Sequence, residues 1–357
     1  MTNTVLSIIM PSYNRAEELK VMVDSIIAST FSAWELIIVD DGSEEETISL
    51  LQSYSQADSR IKLHPRKEEP KGAQPCRNLG ITLATGKYII FFDSDDYITS
   101  ECLARRVDAM ELHPELDFMV FPSASMDHNG LHETDWCNNY GYPVYGDDIE
   151  AIISRRLPFV VWNNIYRRSS LEQKSIKWDV QLHSFQDSDF NLSALLSGMR
   201  YGYATECPNF YYRIPDKNRN NTSIVKEMYK KERHLNSHVY LTRKWTMILK
   251  EGKKGKYADA LYDGAIFIIR FHHETSSSWK AGHLLCQVLK DYSYWMHLKL
   301  ALHIRLGETL QKFLSPRQSF TLAFLTYKMR DWMKAKKRIR KLKQIYQSQH
   351  NQTTRQA

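Results

Sequence analysis

The sequence contains no apolar run approaching the length needed to cross a bilayer, which argues against a helical membrane-spanning protein. Its opening, MTNTVLSIIMPSYNR, has no basic segment ahead of a long apolar one, so a secretory leader is not expected. Cysteine is sparse: Cys76, Cys102, Cys137, Cys207 and Cys286 are scattered and odd in number, without paired metal spacing. That pattern excludes a disulfide framework and predicts free thiols in a reducing cytoplasm. No internal repeat is visible. From about Ser223 glycine and proline retreat to expected helix ends, and the rest of the chain reads as mostly helical. What is present is ordinary for a soluble globular protein: 357 residues, 43% hydrophobic and 25% charged, enough for two domains or one large domain with a helical appendage.

The first third alternates short apolar runs with helical patterns, from LSIIM through EELKVMVDSIIAS, WELIIVD and ETISLLQSYS to YIIFF. This order predicts an α/β fold, a sheet flanked by helices on both faces. Asn14 with Glu17 and Ser43 with Glu46 have capping-box spacing, placing each helix start directly after a strand. In such sheets ligands bind beyond the carboxyl ends of the strands, where PSYNR, VDDGS and DSDD fall.

YIIFFDSDDY, Tyr88 to Tyr97, is the most informative stretch. Five apolar residues in a row predict a strand buried on both faces, so Asp93, Asp95 and Asp96 sit where that strand leaves the core. Asp93 and Asp95, two apart, would lie about 7 Å from each other if the strand continued, with room between them for a cation or an acceptor hydroxyl. Turn and cap chemistry explains the same letters. The acids of VDDGS can accept from a base N–H or a ribose hydroxyl, and Tyr13 offers a ring for stacking, but each motif alone is equally a turn.

In order and spacing, SIIMPSYNR, WELIIVDDGSEEET, KGAQPCRNLGITLATGKYIIFFDSDDYI and FQDSDF together resemble the family 2 glycosyltransferases with the GT-A fold, over roughly the first 215 residues. The resemblance implies transfer of a sugar from a nucleotide-sugar, expected to be a UDP-sugar, to an acceptor hydroxyl with inversion and a divalent cation, Mg²⁺ or Mn²⁺. Carried over by motif, Pro11, Tyr13, Arg15, Asp40, Asp41, Arg77, Asn78 and Ser94 would line the nucleotide-sugar, and Asp93 and Asp95 would hold the metal. Arg77 and Asn78 are equally readable as a surface salt bridge and a helix cap. An inverting transfer needs a base. The family places a Glu-Asp pair at a helix start; here Gln186 replaces the first acid and Asp187 matches the second, with Asp189 as its stand-in. On this reading Asp187 stays ionised under the helix dipole, while an N-cap or first-turn acid is the plainer alternative.

The resemblance extends to VVWNNIYRRSSLE, which implies a core Trp162 and an acceptor-facing Asn163. Asp96, His183 and Arg213 are further supporting candidates. Pro215 stands near where the family often has a histidine. The Gln-x-x-Arg-Trp motif and membrane spans of processive synthases are missing, which favours one sugar per event.

The expected division is a GT-A domain over 1–222, with a nucleotide-sugar half at about 1–115 and an acceptor half at about 116–222. A helical region follows over 223–345, then a structureless tail over 346–357. The acceptor expected is a saccharide or lipid-linked saccharide, in surface polysaccharide or glycolipid synthesis. Lys328 to Lys343, with Trp332 and Met333 among the cations, reads either as a solvated charged helix or as one lying on an anionic membrane. The expected location is cytoplasmic, peripheral on the inner membrane face. A pI near 8.9 raises nucleic-acid binding as a competing class, and the acids at three strand ends argue against a nucleic-acid partner. An inactive GT-A scaffold is the third reading, kept open by Gln186 and opposed by Asp93, Asp95 and Asp187.

Overall fold

Strand β1 (Leu6–Ser12) lies between β2 (Trp34–Asp40) and β4 (Tyr88–Phe91), and all three are buried almost throughout, as unbroken apolar runs demand inside a sheet covered on both faces. The computed structural model describes residues 4–214, 232–252, 255–276 and 278–356. Its main sheet has seven strands, in the order β10 (Tyr201–Tyr203), β6 (Phe118–Val120), β9 (Asn164–Arg167), β4, β1, β2 and β3 (Ile61–Pro65). Leu6 pairs with both Trp34 and Tyr88 in parallel register. Strand β9 runs antiparallel to β4 and β6, which makes the sheet mixed. A four-stranded sheet joins β5 (Tyr97–Ile98), β11 (Phe210–Arg213), β7 (Ser123–Asp127) and β8 (Gly130–His132).

Alternation along the strands sends Ile8, Met10, Leu36, Ile38 and Ile90 into one core and Ile9, Ile37, Val39, Ile89 and Phe91 into the other. Helix α1 (Ala16–Ile27) covers the first face with Leu19, Met22, Val23 and Ile26, an i, i+3, i+4, i+7 stripe. Helix α2 (Glu45–Ala57) adds Leu51 to it. Helix α3 (Ala73–Leu83) covers the second. Gly80 is required there, since a Cβ would stand 2.3 Å from Ile9 Cγ2. Helix α4 (Cys102–Leu112) joins the first core. Helices α5 (Asp148–Ile153), α6 (Arg168–Gln173) and α7 (Gln186–Leu196) supply the second.

Six further helices complete the described chain: α8 (Glu232–Glu251), α9 (Ala258–Ser276), α10 (Lys280–Tyr292), α11 (Tyr294–Gln311), α12 (Pro316–Ala323) and α13 (Leu325–Gln356). Their apolar residues Trp245, Ile266 and Leu285 merge with the second core, so the helical region shares its interior with the sheet.

Two expectations are corrected. The capping boxes do not form: Asn14 N–H donates to Ser43 Oγ at 2.9 Å while Glu44 N–H donates to Asn14 Oδ1 at 2.8 Å. The two loops cap each other because parallel neighbouring strands deliver them side by side. Nor does structure end at residue 345. Helix α13 runs to Gln356, and Gln349 Nε2 donates to the Glu206 carbonyl at 3.1 Å. Polar composition misled here, since Gln, Lys and Arg are good helix formers once one face is docked.

Candidate active site

The polar cluster beyond the carboxyl ends of the central strands is built from three loops and one helix start. The chain leaves β4 at Phe92, and Asp93, Ser94, Asp95 and Asp96 turn across the strand ends before β5. Arg77, buried on α3, donates through Nη2 to Asp93 Oδ1 at 2.5 Å and reaches Gln186 Oε1 at 3.5 Å. Its guanidinium lies 4.3 Å from the centre of the Trp178 ring. Arg15, at the start of α1, is ion-paired with Asp95. Arg213 donates its backbone N–H to Asp96 Oδ1 and its Nε to the Asp95 carbonyl, both at 2.9 Å. Three arginines from separate segments thus converge on the DSDD turn.

Burial pushes Asp95 above the usual carboxylate range; Asp93 adds to this and Arg15 opposes it. Burial raises Asp96 further, reinforced by the charges of Asp95 and Asp93. Desolvation is thus the main cause of both shifts, with repulsion among the three carboxylates adding to it. A hard divalent cation fits this donor set, since Mg²⁺ or Mn²⁺ takes one or two carboxylates and completes its shell with phosphate oxygens and water. Among the described residues no group of three or more His, Cys, Asp or Glu is placed to hold a metal ion.

Asp187 opens α7 beside this cluster. Its Oδ1 is buried without a hydrogen-bond partner among the described residues. Burial raises its pKa to about 6, with Arg77 opposing and Asp93 adding. The dipole at the helix start does not hold it low, contrary to expectation, because desolvation is the larger effect. Asp189 behaves differently: it accepts from Lys244 Nζ at 2.8 Å and Trp245 Nε1 at 3.0 Å and anchors α8 to α7. That pairing removes it as a stand-in base.

Other candidates have structural partners. Asp40 accepts from the backbones of Gly42 and Ser43 at 3.0 and 2.8 Å, shaping the turn in which Gly42 adopts φ 91°. Asp41 pairs with Arg66 at 2.6 Å and accepts from Gly72 N–H at 2.6 Å. Asn78 clasps Trp178, donating to its carbonyl and accepting from its N–H, both at 2.9 Å, so both ends of its amide are engaged within the fold. Asn163 is fully buried, accepting from Val160 N–H and donating to the Phe121 carbonyl, and does not face an acceptor. Trp162 is partly buried, packed against the first core and stacked on Phe210 and Tyr212. His183 is exposed, and its backbone N–H is held by Ser237 of α8. Tyr13 is 59% exposed beside the Asn14–Ser43 junction, Pro11 lies on β1, and Ser94 is buried. Pro215 lies outside the described residues.

Sequence reasoning missed Arg66, Lys71 and Trp178. Lys71 Nζ donates to the Asp41 carbonyl at 3.0 Å. The basic residues of HPRKEEPKGA were a usable signal for Arg66 and Lys71; nothing in the spacing marks Trp178.

A mixed sheet with flanking helices and acids beyond its strand ends defines the GT-A fold. The structure of Staphylococcus aureus TarS 1–349 in complex with UDP-GlcNAc superposes with a TM-score of 0.66 at 17% identity, covering 91% of this chain and 92% of that one. Residues 7–174 match the model of glycosyl transferase family 2, and that segment is a family 2 glycosyltransferase domain. The glycosyltransferase YibD of Escherichia coli K12 is 27% identical over 266 residues, 72% of this chain and 73% of YibD. EpsJ of Bacillus subtilis is 29% identical over 59% of this chain and 62% of its own length. A third relative, the UDP-Glc:alpha-D-GlcNAc-diphosphoundecaprenol beta-1,3-glucosyltransferase WfgD of Escherichia coli, is 37% identical over 131 residues, 37% of this chain and half of WfgD.

Proposed function

We propose that the protein transfers one hexosyl or N-acetylhexosaminyl unit from a UDP-sugar to a hydroxyl of a saccharide acceptor, with inversion. The observation that carries this reading is Asp187: a carboxylate with a buried, unpartnered oxygen and a pKa of about 6, beside the Arg77–Asp93 pair. A base with that pKa is mostly ionised at neutral pH and strong enough to accept the proton of a hydroxyl as it attacks. Asp187 is assigned that role. Asp93 and Asp95 would hold Mg²⁺ or Mn²⁺, which supplies charge neutralisation at the leaving diphosphate. Arg15, Arg77 and Arg213 surround the same turn and keep the carboxylates in place. Tyr13, Asp40 and Asp41, on loops tied together, would form the nucleoside wall.

The donor class is supported by TarS, whose structure holds UDP-GlcNAc, and by WfgD, a glucosyltransferase that uses UDP-Glc. The acceptor of WfgD is a diphosphoundecaprenol-linked sugar, which supports a lipid-linked saccharide as the acceptor class here. The deciding experiment is a panel of nucleotide-sugars screened for Mn²⁺-dependent thermal stabilisation, followed by transfer assays with wild type and Asp187→Asn. Stabilisation by one donor with transfer lost in the variant supports the reading. Donor binding without transfer to any saccharide by the wild type would instead favour an inactive scaffold.

A further inference from the structure

The last three helices carry a surface that the sugar-transfer site does not use. On α11, Trp295, Leu298, Leu302 and Leu306 follow one another at helical spacing on the exposed side, Trp295 at 79% and Leu302 at 69% exposure. Leu300, Ile304 and Gly307, on the opposite side, are the buried residues that fix the helix to the core. Phe313, between α11 and α12, is 83% exposed. Single exposed apolar residues are ordinary on a soluble protein; a stripe of them is not.

Helix α13 continues the pattern and changes its chemistry along its length. Its outward row is Leu325, Met329, Trp332, Lys336, Arg340 and Lys343, separated by three or four residues and all exposed. Lys336 Nζ stands 3.8 Å over the Trp332 ring. The inward row is committed to the rest of the molecule. Phe324, Tyr327 and Leu342 are buried, Arg330 is ion-paired with Asp263, and Arg338 donates to the carbonyls of Trp136 and Asn139 at 2.8 and 2.6 Å. The basic run of Lys328 to Lys343 is therefore divided, with part of it securing the helix and part facing solvent. His303 of α11 stacks on Phe324, at the junction of α12 and α13, with ring centres 5.1 Å apart.

Charge identifies the partner. Between residues 293 and 345 there are 13 lysines and arginines against two acids, and both acids are already paired, Glu308 with His283 and Asp331 with Arg156. Lys328, Arg330 and Lys334 are paired with acids elsewhere in the molecule, and a second copy of this chain would bring the outward Lys336, Lys337, Arg340 and Lys343 against themselves. Nucleic acid would satisfy the cations and leave Trp295, Leu302 and Phe313 in water. An anionic bilayer satisfies both, with phosphates for the cations and an interfacial region for tryptophan and aliphatic side chains.

We infer that the outward faces of α11 and α13 seat the protein on an anionic lipid surface, Trp295, Leu302, Phe313 and Trp332 entering the interface and Lys336, Lys337, Arg340 and Lys343 meeting headgroup phosphates. The inference deepens the proposed function, resting on it only for the use of such a position: it sets the site beside a membrane in which a lipid-linked acceptor is held.

The test is sedimentation of the full chain with vesicles of phosphatidylglycerol and phosphatidylcholine, and with phosphatidylcholine alone, at low and high salt. Wild type should pellet with the anionic vesicles and be released by salt. Each basic residue near an anionic surface strengthens partition about fivefold, so Lys336→Ala with Lys337→Ala should weaken it about 25-fold. Trp295→Asp with Leu302→Asp should abolish it. All four side chains lie on exposed stretches, and circular dichroism should show both variants folded. The inference is overturned if wild type stays in the supernatant at low salt, or if it pellets equally with both variants. A concentration-dependent dimer broken by the Trp295 variant, or retention on DNA without vesicle binding, overturns it too. Transfer to a water-soluble acceptor, measured on the same variants, should persist. Its absence in wild type would count against the proposed reaction and leave the vesicle result standing.

Discussion

Arg77 and Asp93 form a buried-to-surface ion pair at 2.5 Å, in which the arginine is 5% exposed and the carboxylate 33%. The same guanidinium leans on Trp178 and reaches Gln186, so it links α3, the DSDD turn and the start of α7. Arg77→Ala should cost about 1–3 kcal/mol in denaturant unfolding, because Asp93 loses a charged partner but, a third exposed, keeps part of its hydration. Arg77→Lys keeps the charge but not the flat fork that serves three partners, and should lose a smaller part of that stability. Equal stability of all three proteins would show that the pair is not structural.

Asp187→Asn should lower transfer by about 10²- to 10⁴-fold. Donor affinity should remain near wild type. The wild-type kcat/KM should rise with pH through an inflection near 6, where Asp187 ionises. The sign for stability is opposite. A carboxyl raised in the fold costs stability once ionised and recovers it as pH falls below about 6. The neutral amide should therefore stabilise the fold at pH 8, by up to about 3 kcal/mol. A variant that is both slower and more heat-resistant is the expected signature, and thermal unfolding at pH 5 and pH 8 measures it.

Asp189→Asn serves as its counterpart. Because Asp189 holds Lys244 and Trp245, its amide should lower stability by about 1–3 kcal/mol while transfer stays near wild type. Parallel rate and melting measurements on the two variants separate the roles; loss of transfer in a folded Asp189→Asn would reverse the assignment.

Asp95→Asn removes one of the charges at the DSDD turn. Without a cation its melting temperature should hold or rise, since burial and Asp93 make the ionised carboxyl costly. With Mn²⁺ and UDP the wild type should gain stability and the variant should not. Calorimetry showing unchanged Mn²⁺-dependent UDP affinity in the variant would remove Asp95 from the metal site.

Acid stability has a different origin. Glu35 accepts from Ser7 Oγ at 2.6 Å, Thr85 N–H at 2.7 Å and Lys62 Nζ at 2.5 Å. Burial alone would raise its pKa, but these bonds outweigh burial and hold it down at about 2. Its stabilisation is present above the unfolded value near 4.3 and is lost as pH falls toward 2. Glu35→Gln should cost about 3 kcal/mol at neutral pH and flatten the acid side of the stability curve. A pH–stability curve identical to wild type would exclude that role.

Much of this molecule is legible in the sequence because its strands are apolar runs ending in acids. The YIIFF run dictated a buried strand, and the DSDD letters dictated a charged turn beyond it. Spacing could not reveal which acid is spoken for. Asp187 and Asp189 are two apart at one helix start, and they differ only because Lys244 and Trp245 arrive from α8, more than fifty residues later. Asn78 and Asn163 read as ligand-facing through the motif resemblance. Their partners are backbone groups that only the folded chain supplies. The capping boxes failed for the same reason, each cap finding its partner on the neighbouring loop.

That exchange between Asn14 and Ser43 has a kinetic consequence. Ordering a loop costs about 1–2 kcal/mol per residue fixed, and here the loops carrying Tyr13 and Asp40 settle when the sheet forms. On the proposed reading a nucleotide would meet there a wall that needs no rearrangement, so its capture would be governed by encounter and orientation, and its residence time by how many groups it must release to leave.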